Sequence, residues 1–223
     1  MANSATIPAI AHVAVGSLRW QDALRLVRQR GQYMQAAVPG GTGAMAALLR
    51  LPAGILDGIL EAAAEGEVVS AANLNSPDQI VIAGHAGAVA RAMELAKAAG
   101  AKRAIPLPVS APFHCSLMEP AQRQMRVHLD QATFHDLQVP LVNNWQAREI
   151  TSAEDAREGL YQQIPNAVRW EESVRYLASH GVTRAIEVGP GAVLMGLMRN
   201  ITPDITTLRA GEAEDIDVIR FPT

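Results

Sequence analysis

An imidazole placed after a proline-bounded apolar run is the first group in this chain that can move a proton at neutral pH. His114 lies in Pro108-Val109-Ser110-Ala111-Pro112-Phe113-His114-Cys115, at the end of a strand-like stretch at residues 103–109. Proline restricts φ, so such a loop can be rigid, and a rigidly held imidazole suits a general base. The plainer alternative is a loop histidine hydrogen-bonded into its surroundings. Cys115 adjoins His114, yet consecutive residues of an extended loop point apart, so the two are not poised as nucleophile and base. Arg30 is the second such group. Trp20, Ala23, Leu24, Val27, Gly31 and Met34 recur at helical spacing and predict a helix over residues 19–35 with one apolar stripe. Arg25 lies opposite that stripe. Arg30 falls on its margin beside Gly31, from where it can lean over a buried surface. Otherwise it is one of four arginines between positions 19 and 30 on a solvated helix.

Two further features limit the chemistry. Gly189-Pro190-Gly191 lacks G-x-G-x-x-G spacing, and Pro190 removes a backbone donor, so it reads as a strand-to-helix junction and not a phosphate loop. No G-x-S-x-G, the strained turn that exposes a serine nucleophile, occurs in the sequence. Ser4 lacks the following glycine, and Ser17 reads as a helix N-cap.

The elements that must carry these groups alternate in type. After the loop Pro39-Gly40-Gly41-Thr42-Gly43 come a strand at 44–49, a helix at 53–64, strands at 68–74 and 79–83 about the turn Asn75-Ser76-Pro77-Asp78, a helix at 86–99 closed by Gly100, and the strand at 103–109. That order is β-α-β-β-α-β, the ferredoxin-like arrangement. Beyond it the pattern predicts a helix at 118–131, a strand at 139–143, helices at 152–163 and 170–180, a strand at 183–188 and a helix at 192–201. Strands alternating with helices imply a parallel sheet with helices on its faces. The acidic stretch from 210 to 223 reads as a tail.

At 223 residues the chain can bury a sizeable core, and 4% aromatics with abundant alanine and glycine suit close helix–sheet packing. A net charge of −3 argues against nucleic acid as a partner. One cysteine excludes an internal disulfide. No run is apolar enough to span a bilayer, and residues 1–6 lack a basic leader, so a cytoplasmic protein is expected.

Several motifs in order carry a resemblance. Arg28-Gln29-Arg30-Gly31-Gln32-Tyr33-Met34-Gln35, Asn73-Leu74-Asn75-Ser76-Pro77-Asp78-Gln79-Ile80-Val81-Ile82-Ala83-Gly84, Ala98-Ala99-Gly100-Ala101-Lys102-Arg103-Ala104 leading to His114, and Glu187-Val188-Gly189-Pro190-Gly191 resemble segments of the malonyl-CoA:acyl-carrier-protein transacylases. The likeness runs from about residue 12 to 203. It implies an α/β-hydrolase-like acyltransferase core with an incomplete parallel sheet, at residues 1–42 and 111–223, and an inserted ferredoxin-like subdomain at 43–110.

The resemblance implies site residues as well. His114 takes the position of the catalytic base. Arg30 takes that of the arginine pairing with the free carboxylate of malonyl, a task suited to a guanidinium fork that stays charged when desolvated. Gln163 takes that of a glutamine whose backbone carbonyl orients the imidazole, although Ile164-Pro165 departs from the family's usual residues there. Phe113 takes that of a phenylalanine that narrows the acyl pocket in favour of malonyl.

The implied reaction moves malonyl from malonyl-CoA to the phosphopantetheine thiol of acyl carrier protein in fatty acid biosynthesis. It needs no metal or redox cofactor, and coenzyme A enters as the substrate thioester. The family's serine-bearing elbow belongs to a segment ahead of His12-Val13-Ala14-Val15-Gly16-Ser17-Leu18, and residues 1–11 do not resemble it. The chain is therefore expected to lack the nucleophile and to be inactive alone. The alternatives are a non-catalytic remnant that binds CoA or carrier protein, and one half of a split acyltransferase.

Overall fold

Within residues 6–218, the part of the chain that the computed structural model describes, helices and strands alternate as their periodicities require. In chain order they are α1 (Thr6–Ala14), α2 (Trp20–Ala36), β1 (Gly43–Leu49), α3 (Leu56–Ala64), β2 (Val69–Ser76), β3 (Gln79–His85), α4 (Ala86–Ala98) and β4 (Arg103–Pro106). A 3-10 turn, Ser116–Met118, then opens α5 (Glu119–Gln131). After it come β5 (Leu141–Val142), β6 (Glu149–Ile150), α6 (Ala153–Gln162), α7 (Trp170–Ser179), β7 (Arg184–Val188), α8 (Val193–Ile201), β8 (Thr206–Ala210) and α9 (Ala213–Val218). Ser4 and residues 219–223 of the expected tail lie outside the described residues.

β1 to β4 form one sheet in the order β2-β3-β1-β4, every pair antiparallel. The two-residue period of β1 divides its side chains between two cores. Ala46 and Leu48 join Ile82 under α3 and α4, against Ile59, Ala63, Val89, Ala92 and Ala96. Met45 and Ala47 face the other way, with Val81 and Ala83, and are covered by the segment that carries Leu107, Val109, Phe113, Cys115 and Leu117. The loop bearing His114 is thus the lid of one sheet face. A separate helical core gathers Ala23, Leu26 and Met34 of α2 with Met125 and Leu129 of α5 and Ala156 and Leu160 of α6. Phe113 packs against both this core and the sheet-side cluster.

Several expectations need correction. α2 buries Ala23, Leu26, Arg30 and Met34, whereas Trp20 and Leu24 are each 62% exposed. The buried stripe therefore runs one position over from the one read off the sequence, because α2 packs against α5 along its Leu26 side and takes Arg30 to the middle of the face. Ser17 is fully buried and does not cap α2, whose first turn follows Arg19 in extended conformation without a side-chain cap. Only residues 141–142 of the expected strand at 139–143 form one, pairing antiparallel with β6. Asn143 explains the difference: its Oδ1 accepts from the Gln146 N–H at 2.7 Å and turns the chain back. Parallel pairing among the described residues is that of β7 with β8, in register from Arg184↔Thr206 to Val188↔Ala210, and a single bridge between Asn73 of β2 and Val168. β8 and α9 occupy ground read as unassigned chain and tail. No helix among the described residues is long and apolar enough to cross a membrane.

Candidate active site

His114 is seated by backbone geometry before any side chain acts. Its φ of +62° is left-handed, a region costly for a residue with a Cβ and held only where surroundings dictate it. Those surroundings are close. A Cβ on Gly43 would lie 2.3 Å from the Pro112 ring, so only glycine lets the loop lie this near to β1. Ser110 Oγ donates to Gln35 Oε1 at 2.5 Å, tying the loop to α2. Cys115 Sγ donates to the Pro112 carbonyl at 3.1 Å on the sheet side, and burial pushes its thiol up to about 11, so the thiol stays protonated.

The imidazole is 1% exposed, and its Nδ1 lies 2.9 Å from the backbone carbonyl of Gln163. A carbonyl only accepts, so in the neutral ring Nδ1 carries the proton and Nε2 carries the basic lone pair. Burial is the largest influence on this ring, followed by the charge of Arg30. Together they lower its pKa to about 4 against hydrogen bonds to the backbone of Gln163 and Asn166. The ring is neutral at pH 7, the state a base requires.

Gln163 closes α6 as its C-cap, and its position keeps the carbonyl on His114. Its own side chain turns away, donating from Nε2 to the carbonyls of Asn166 at 3.0 Å and Ala167 at 3.2 Å. Ile164 is fully buried in the helical core, so the unusual Ile164-Pro165 pair anchors this turn. Val168 then pairs with the edge of β2 through its N–H to Ala72 O and its carbonyl to Leu74 N–H, both 2.8 Å.

Arg30 lies 6% exposed on α2, and neither of its terminal nitrogens has a hydrogen-bond partner among the described residues. Burial lowers its pKa to about 10, which still leaves it charged. It lines a small, partly open hollow of about 20 Å³ with Ala9, Leu26, Val27, Met125, Leu129, Leu160 and Gln163. An apolar hollow holding one unpartnered guanidinium is a place for an anion, since a buried charge is costly until it is matched.

Of the four residues singled out, His114, Gln163 and Arg30 therefore meet at one site, and Phe113 stands next to it in the chain, between two cores. The sequence reading missed Asn166, whose backbone lies beside the imidazole. The amide pair Gln162 and Asn166, four apart across a helix end, was the available signal. The Gly189–Gly191 turn is a junction: Glu187 on β7 accepts from the N–H groups of Leu194 and Met195, at 3.0 and 2.7 Å, and fills the α8 N-terminus itself. Among the described residues no three His, Cys, Asp or Glu side chains are grouped to hold a metal.

An α/β frame here buries an imidazole, held on a backbone carbonyl, beside a desolvated guanidinium. The chain belongs to the family of the acyl transferase domain, whose model matches residues 9–215. It is 49% identical over 200 residues to the malonyl CoA-acyl carrier protein transacylase of Escherichia coli strain K12, covering 90% of this chain and 65% of that protein. It thus spans about 65% of the length of the curated relatives it matches. The crystal structure of an acyl carrier protein S-malonyltransferase from Vibrio cholerae superposes with a TM-score of 0.93 at 42% identity, over 95% of this chain and 69% of that one. A malonyl-transacylase solved in complex with a type II PKS acyl-carrier protein gives 0.92 at 42% identity, over 95% and 68%.

Proposed function

We propose that this chain supplies the base and the carboxylate clamp of an enzyme that transfers malonyl from malonyl-CoA to the phosphopantetheine thiol of acyl carrier protein in fatty acid biosynthesis. The observation that carries this reading is the buried, unpartnered Arg30 guanidinium beside His114. A malonyl group brings the carboxylate that such a charge lacks. His114 Nε2 takes the proton from the attacking serine hydroxyl and returns it to the departing coenzyme A thiolate, then takes the proton of the carrier-protein thiol and returns it to the departing serine oxygen, while the Gln163 carbonyl holds Nδ1–H. Phe113 limits bulk beside the acyl group. The reaction needs no metal or redox cofactor, with coenzyme A present as the thioester. The cytoplasm is the proposed site of action, in keeping with the single buried thiol.

The same reading divides the chain into an α/β-hydrolase-like larger subdomain at 1–42 and 111–223 and a ferredoxin-like smaller one at 43–110. Supporting this division are the antiparallel order β2-β3-β1-β4 and the separate cores beneath it.

The sequence contains no G-x-S-x-G, so the nucleophile comes from outside these residues. Intact mass after incubation with malonyl-CoA is expected to show no malonyl ester on this chain. The decisive test joins the chain to the serine-bearing segment of the Escherichia coli relative. Arg30→Ala is expected to cut malonyl transfer about tenfold or more and leave acetyl transfer nearly unchanged, since a charge-assisted pair is worth about 1.5–3 kcal/mol. His114→Ala is expected to slow both by about 10²–10⁴. Equal slowing of both acyl groups by Arg30→Ala overturns the reading.

A further inference from the structure

His114 is held through a turn that is itself held by two side-chain amides, and one of them has a double role. Asn166 Nδ2 donates back to the Gln162 carbonyl at 2.7 Å, clasping the turn after α6 across its mouth, with a longer contact of 3.4 Å to Gln162 Oε1. The backbone of Asn166 lies close enough to the imidazole to raise its affinity for a proton. Its carbonyl also accepts from Gln163 Nε2. The residue therefore closes the turn with its side chain and presents its main chain to the ring.

The acceptor end of the clasp is fixed in turn. Gln162 Nε2 donates to Glu158 Oε1 at 2.7 Å, and Gln162 Oε1 accepts from Gln122 of α5 at 3.3 Å. On the far side of the turn, the pairing of Val168 with β2 pins the chain within two residues of Asn166. Between these anchors the Gln163 carbonyl lies 2.9 Å from Nδ1.

We propose that Asn166 is a positioning residue for the proton transfer: its side-chain amide fixes the turn that keeps His114 in the Nδ1–H tautomer, with Nε2 as the basic nitrogen. The function of that tautomer rests on the reading of His114 as the base; the tautomer itself does not. A carbonyl displaced from Nδ1 removes the acceptor that favours a proton there, and a histidine protonated on Nε2 cannot accept at that nitrogen.

The experiment uses the full chain labelled with ¹⁵N and the long-range ¹H–¹⁵N spectrum of its histidine rings at pH 7, with His114→Gln identifying the His114 signals. The wild-type ring is expected to show the separated nitrogen shifts of a single Nδ1–H tautomer. Asn166→Ala removes the donor. Asn166→Asp keeps the shape but places an acceptor against the Gln162 carbonyl. Both are expected to lose the separation, the two nitrogen shifts moving toward an averaged value, while the amide spectrum of the remaining chain stays folded. Should Asn166→Ala not fold, Asn166→Asp decides. Retention of the single tautomer in the folded variant overturns the proposal.

In the joined enzyme the same variants are expected to lower kcat about tenfold with KM for malonyl-CoA unchanged, since a poorly oriented base forfeits part of the roughly 10²–10⁴ that positioned proton transfer contributes. Loss of the tautomer with kcat intact would instead retire the reading of His114 as the base and leave the positioning role standing.

Discussion

Arg30 keeps its positive charge where the described residues offer it no hydrogen-bond acceptor, and His114 responds to that charge. After burial, the charge of Arg30 is the largest influence holding the imidazole's affinity for protons down. A carboxylate seated against Arg30 would cancel much of that field. The sign is definite: less positive charge nearby favours the imidazolium, so the pKa of His114 rises from about 4 toward the working range. On the proposed function, binding of a carboxylate and strengthening of the base are then one event. NMR titration of the His114 ring with and without saturating malonate measures this. The pKa is expected to rise with malonate. In Arg30→Met it should be higher from the start and unresponsive. A wild-type pKa that stays put while malonate perturbs the Arg30 side chain would sink the coupling.

Most helices whose N-caps are described begin without a side-chain cap, and α8 is satisfied from a neighbouring strand instead. α8 begins after a residue with no side-chain cap, and the carboxylate of Glu187 reaches across from β7 to accept two of its first N–H groups. One acidic residue thereby joins a strand to the helix that follows it and complements the helix dipole. Glu187→Ala is expected to lower stability by about 1–2 kcal/mol at pH 7, read from urea midpoints at constant slope. Glu187→Gln, which keeps an acceptor but loses the charge, should recover part of that. An alanine variant as stable as wild type would show that the cap contributes nothing.

At this same scale the limits of the sequence are visible. The six elements from β1 to β4 could be read in order, because alternation in β1 and β3 and the glycine after α4 are local signals. The buried face of α2 could not: Trp20 and Leu24 look like core until α5 packs along Leu26 and Arg30. β6 and β8 are short, and their pairing depends on partners far along the chain or on the Asn143 turn. Residues in contact through such partners leave no periodic trace. The family resemblance, not periodicity, singled out His114, Gln163 and Arg30. Asn166 left only the Gln162–Asn166 amide spacing as a signal, since its place beside the ring depends on a fold that the sequence does not display.

At the level of the whole molecule the site joins two separately packed cores, and two histidines are buried in neutral form to build them. His114 closes the face of the four-stranded sheet beside the helical core. His12 lies on α1, 2% exposed, and burial lowers its pKa to about 4. Both rings have folded pKa values below the ordinary 6.5. The unfolded chain therefore binds more protons than the folded one between pH 6.5 and 4, and stability must fall as pH falls through that window. Above it neither ring contributes any pH dependence. Each ring is worth about 2 kcal/mol between pH 7.5 and 5 on the conversion of about 1.4 kcal/mol per pH. The folded chain is expected to lose roughly twice that figure for the two together, read as a drop in urea midpoint. His12→Leu removes one of the two linkages and leaves the proposed base in place, so its loss over the same interval should be about half that of wild type. Equal losses in His12→Leu and wild type would mean that His12 is not held neutral in the folded state, and a flat profile in both would say the same of His114.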